Sequence, residues 1–77
     1  MTGADVHDLD VTVWVGKAGV EPVAAELADQ LAEREQVKVR FLRAAVGGSD
    51  VETVAAELAD LADAELLETR GNTGVYR

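Results

Sequence analysis

Apolar and polar residues alternate over Val11-Thr12-Val13-Trp14-Val15 and again over Val37–Arg43, while two longer segments repeat with helical period. The first alternation predicts a strand with Val11, Val13 and Val15 on one face and Thr12 and Trp14 on the other. The second predicts a strand that buries Val37, Val39 and Phe41 and turns Lys38, Arg40 and Leu42 outward. A helix is expected from about Pro22 to Arg34, with proline at its first position and Val23, Leu27 and Leu31 on its stripe. Ser49-Asp50-Val51-Glu52 reads as a capping box that opens a second helix at about Asp50–Ala62, striped by Val51, Val54, Leu58 and Leu61. Ala64–Thr69 and Thr73–Tyr76 read as short strands around Arg70-Gly71-Asn72, a hairpin signal.

The order β-α-β-α-β-β predicts an α/β two-layer sandwich: a four-stranded mixed sheet with both helices on one face, where right-handed crossovers put them. The other face is left short of cover, and Thr12, Trp14, Lys38, Arg40 and Leu42 point toward it. Met1–Asp10 reads as a flexible acidic leader and residues 11–77 as one domain. The heptapeptide VAAELAD occurs at both Val23–Asp29 and Val54–Asp60. Similar helix composition over one sheet explains it better than duplication.

Between the first strand and the first helix stands Gly16-Lys17-Ala18-Gly19. Glycines at i and i+3 let the backbone bend sharply and approach a ligand that a Cβ would hold off. Lys17 puts a mobile cation at the tip, and the helix start behind it offers amide N–H groups and a positive dipole end. Such a turn suits a phosphate. It is not a P-loop, because Ala18 stands where Ser or Thr would hold magnesium, and it is not a dinucleotide fingerprint. A steep strand-to-helix bend would also ask for both glycines on steric grounds alone.

With 77 residues and no cysteine, disulfides and thiolate metal sites are excluded. His7, the lone histidine, lies in the polar leader, and the acids are spread over helix faces, so no acid/base or nucleophile set is in view. The expectation is a non-enzyme without metal or cofactor. The longest apolar runs are a few residues, so a soluble, cytoplasmic chain is expected.

The net charge is −8, yet the signs are separated. Val11–Val20, Gln36–Ser49 and Arg70–Arg77 contain no acid and hold Lys17, Lys38, Arg40, Arg43, Arg70 and Arg77, leaving only Arg34 elsewhere. This polarity favours a surface for polyanions on an otherwise acidic body. The acidity and the scarcity of lysine suggest adaptation to a salty cytoplasm. At ~1 M salt the Debye length is only ~3 Å, so contact hydrogen bonds and stacking would have to carry binding.

The run Val13-Trp14-Val15-Gly16-Lys17-Ala18-Gly19-Val20, then Val37-Lys38-Val39-Arg40-Phe41, Ala64-Glu65-Leu66-Leu67 and Val75-Tyr76-Arg77, resembles the CRM (YhbY-like) domain family of ribosome maturation and intron splicing. The resemblance covers about Val11 to Arg77. It implies non-catalytic RNA binding, a link to large-subunit precursor ribosomal RNA, and contacts through Gly16, Lys17, Ala18 and Gly19, the strand cations Lys38 and Arg40, and the terminal pair Tyr76 and Arg77. Arg43 and Arg70 would extend the track, and Trp14 would either stack a base, at ~1–3 kcal/mol, or be covered by the leader or a partner. Members of that family usually have an additional N-terminal helix, for which Met1–Asp10 reads as too short and acidic, and Glu21-Pro22 stands where a Thr-Glu cap is usual. A KH domain also uses G-x-x-G, but between two helices rather than after a strand. The expected partners are RNA and ribosomal proteins, with the protein itself a monomer and away from membranes. The alternative reading is a protein-interaction module that docks a ribosomal protein, or a second copy, on Trp14 and Leu42.

Overall fold

The computed structural model describes residues 9–77; residues 1–8 of the expected leader, His7 among them, lie outside the described residues. The elements are β1 (Val11–Val15), α1 (Glu21–Glu33), β2 (Val37–Phe41), α2 (Arg43–Val46), α3 (Val51–Ala62), β3 (Leu66–Arg70) and β4 (Thr73–Tyr76). The four strands form one sheet in the order β1-β2-β4-β3. β1 runs parallel to β2, and the pairs β2–β4 and β3–β4 are antiparallel, so the sheet is mixed as expected. Helices α1 and α3 pack on each other and on one face of the sheet.

Between the layers lies a core of Val13, Val15, Val20, Leu27, Val37, Val39, Phe41, Val54, Ala55, Leu58, Ala59 and Tyr76. Its alternating strand members come from the period-two pattern, and its helix members from positions three and four apart. The two copies of VAAELAD use the same places: Leu27 and Leu58 are fully buried in both. Gly74 is pressed against the core, since a Cβ there would lie 3.3 Å from both Phe41 and Tyr76 side chains.

Several boundaries differ from the sequence reading. The second strand stops at Phe41 rather than Arg43, because its neighbour β4 has already reached its turn: the Phe41 amide donates to Asn72 O at 2.7 Å. Arg43 instead opens the one-turn helix α2. The last helix is capped by Asp50, not Ser49; the Asp50 carboxylate accepts from the Thr53 amide at 2.8 Å, which holds its pKa below the ordinary value. Leu61 leaves the expected stripe and is 52% exposed, because α3 turns the small Ala55 and Ala59 inward. The third strand begins at Leu66 rather than Ala64, whose amide is committed to Ala59 O at the end of α3.

The first strand holds a further correction. Its register advances from Val11↔Lys38 to Val13↔Val39, two residues against one. This irregularity places Val11 opposite an outward residue and turns Thr12 to the helix layer, where Thr12 Oγ1 lies 2.6 Å from Gln30 Oε1 and Gln30 Nε2 donates to Thr12 O at 3.3 Å. Thr12 therefore does not share the open face with Trp14.

Tyr76 is fully buried, and its hydroxyl donates to Ala55 O on α3 at 2.8 Å. Burial raises the phenol well above its ordinary value of 10.0. The unfolded chain gives up this proton at lower pH than the folded protein, so this contribution to stability is present below 10.0 and is lost as pH rises above it. Tyr76→Phe is expected to flatten that alkaline slope while costing about 1 kcal/mol at neutral pH for the lost hydrogen bond. Urea unfolding at neutral and alkaline pH measures both effects.

Candidate nucleic-acid interface

The glycine-bounded turn is built by one hydrogen bond, Gly19 N to Gly16 O at 2.9 Å, which leaves Lys17 and Ala18 as exposed corners. Gly19 has φ +86°, a conformation that side-chain-bearing residues avoid. Gly16 has no such need: a Cβ there would only touch Leu42 Cδ1 at an ordinary 3.8 Å. Local sterics thus account for Gly19 and leave the bareness of Gly16 open to another purpose.

The helix start behind the turn contributes less than the sequence reading expects. α1 has no side-chain cap, Pro22 carries no N–H, and the Val23 amide donates to Val20 O at 3.1 Å. Glu21 adds a carboxylate in that first turn and lines a cleft of about 290 Å³ with Val20, Glu57, Asp60 and Leu61. This end of α1 is an acidic edge, so the cationic part of the site must come from side chains.

Those side chains collect at one end of the sheet. The Leu42 amide donates to Val15 O at 2.9 Å, which ties the start of α2, and with it exposed Arg43, to the point where β1 enters the Gly16 turn. The tight turn Gly71-Asn72, with φ +57° at Gly71, comes to the same end through its bond to Phe41. Across the sheet the register aligns Trp14 with Arg40, Arg40 with Thr73, and Thr73 with Arg70. Paired residues face the same side, so these four form one row on the face away from the helices, about 14 Å from end to end at the usual strand spacing. Trp14 is 53% exposed in that row.

The next row down is Lys38, Val75 and Glu68, with both signs of charge. Val75 is only 2% exposed yet does not belong to the core, because its register puts it on the outer side with Lys38. The remaining two positions of the expected track are elsewhere. Tyr76 faces the core with no surface to offer a ligand, so its expected contact role is replaced by a structural one. Arg77 lies at the opposite end of β4 and pairs with Glu65 at 2.9 Å. Thr73 is the residue that sequence reasoning missed; the two-residue turn after Arg70 was the signal that would have placed it on Arg70's face.

The helix layer has the reverse sign. α1 carries Glu21, Glu26, Asp29 and Glu33, α3 carries Glu52, Glu57 and Asp60, and neither contains Lys or Arg. Among the described residues no cluster of His, Cys, Asp or Glu is placed to hold a metal ion.

A glycine-bounded turn leads out of a sheet that packs α1 and α3 on one face and lines up Trp14, Arg40, Thr73 and Arg70 on the other. The profile of the CRS1/YhbY (CRM) domain matches residues 3–77. The chain belongs to the CRM domain family. A protein of Methanocaldococcus jannaschii, named as a probable RNA-binding protein, is 40% identical to it over 72 residues, or 94% of this chain. Those residues span only about half of that relative's length, 54%.

Within this CRM domain the two glycines are expected to behave differently. Gly19→Ala forces a side chain into a left-handed backbone and should cost about 1–2 kcal/mol. Gly16→Ala should leave the unfolding midpoint close to that of the parent. Thermal melts of the two variants check the contrast.

Proposed function

We propose that this CRM domain is a non-catalytic RNA-binding module, with the Gly16–Gly19 turn and the adjoining end of the sheet as its contact surface. The observation that carries the reading is the division of charge by layer. Arg40 and Arg70 stand in one row on the face opposite α1 and α3, with Lys17 and Arg43 at the same end, while α1 and α3 carry acids and neither Lys nor Arg. A phosphate backbone is drawn to the first surface and repelled by the second, so the split sets orientation as well as attraction. The bare backbone at Gly16 and the Lys17 side chain suit a phosphate, and Lys38 flanks the row from below.

Family membership supports the RNA reading, as does the name of the archaeal relative. Taken a step further, the RNA bound is large-subunit precursor ribosomal RNA, and the role is in ribosome assembly, with the protein acting as a cytoplasmic monomer beside ribosomal proteins. The exposed pair Trp14 and Leu42, at 53% and 42%, supports a second reading in which the same open face docks a protein. Pulldown with and without ribonuclease separates the two, since protein partners survive digestion.

Substituting Lys17 and Arg40 by Glu tests the surface directly. RNA retention is expected to fall, and the slope of log affinity against log salt to shrink by about 0.7 for each lost contact to a single strand. Filter binding across a salt series reads both quantities, and unchanged retention would remove the proposed track.

A further inference from the structure

We infer that this face selects unpaired RNA, with one base lying on the Trp14 indole and the backbone crossing the strands over Arg40 toward Arg70. The inference rests on the RNA-binding reading and adds the class of RNA.

The chain has one Trp, one Tyr and one Phe. Phe41 and Tyr76 are fully buried in the core, whereas Trp14 is 53% exposed. Its neighbours Val13 and Val15 point into the core, so strand alternation forces the indole onto the face opposite α1 and α3. No core position is served by it. Its partner across the sheet is Arg40, and two residues on comes Gly16, which has no side chain to cover the ring. Thr73 is small and half-buried, with its hydroxyl donating to Arg70 O at 2.7 Å, so the row runs from ring to guanidinium and past this short side chain to the second guanidinium of Arg70.

Arginines alone would serve either a duplex or a single strand, since both present phosphates. The indole discriminates. In an RNA duplex each base already stacks on its neighbours and shows only its edges, while the grooves display sugars and phosphates. A flat aromatic surface gains a partner only where a base is unstacked. Because stacking is not an ion-pair contact, it also persists in salt that screens the arginines.

Trp14 is the sole tryptophan, so its emission reports on the site without labelling. The protein is titrated with a single-stranded oligouridylate, whose bases are largely unstacked, and with a blunt RNA duplex of equal length, at low and high salt. The single strand is expected to quench the emission and to bind more tightly than the duplex. Trp14→Ala should weaken the single strand by about 5- to 150-fold, the worth of one stacked base, and leave the duplex unchanged. Trp14→Phe, followed by filter binding, should recover part of the loss, and Arg40→Glu should weaken both RNAs. If Trp14→Ala binds the single strand as the parent does, or the duplex binds as tightly as the single strand, the inference is overturned. In that case continued dependence on Arg40 leaves the RNA-binding reading standing. If neither RNA binds the parent protein, both fall together.

Discussion

Strand β2 is hydrogen-bonded on both edges, and the rest of the molecule follows from that constraint. A strand paired on two sides cannot twist its side chains out of register, so Val37, Val39 and Phe41 all enter the core and Lys38 and Arg40 all leave it. A shift of one residue would bury two cations and expose three apolar side chains, which no neighbouring group could offset. The same pairing passes the register outward to both sides. β1 receives Trp14 opposite Arg40, and β4 receives Thr73 opposite Arg40 and hands it to Arg70 on β3. One row of side chains thus exists because the two central strands, β2 and β4, are locked together.

The covered face depends on small residues as much as on large ones. Gly74 on β4 gives Phe41 and Tyr76 room over the sheet, and Ala55 accepts the Tyr76 hydroxyl through its carbonyl. With both large aromatics of the core held there, α3 is anchored to the strand that carries Thr73. The layer that packs the core and the layer edge that carries charge are therefore mechanically one unit.

The asymmetry of charge has a physical use beyond solubility. Acids on α1 and α3 keep the helix side hydrated and unattractive to polyanions, which confines the proposed RNA contact to the sheet face. The acidic cleft beside Val20 belongs to that side. Close to the turn the two regimes meet: Lys17 is exposed on one side of Gly19, and Glu21 opens the helix on the other. A ligand approaching the turn meets a cation before it meets the helix, and the helix dipole is left with little part in the site.

Much of this was written in local pattern. The alternations and helical stripes determined the four strands, the two long helices, most of the core and the separation of signs, because periodicity and burial are local consequences of side-chain spacing. The turn at Gly16–Gly19 was legible for the same reason. The tertiary structure alone decided what depends on a partner strand. It ended β2 at Phe41, where β4 turns away, and sent Arg43 into a helix. It inserted the irregularity that swung Thr12 to Gln30, and it placed Tyr76 in the core and Arg77 against Glu65, away from the cations it follows in sequence. The physical reason is that a chain encodes which face a residue takes relative to its own neighbours, whereas register across a sheet is settled only when two segments meet.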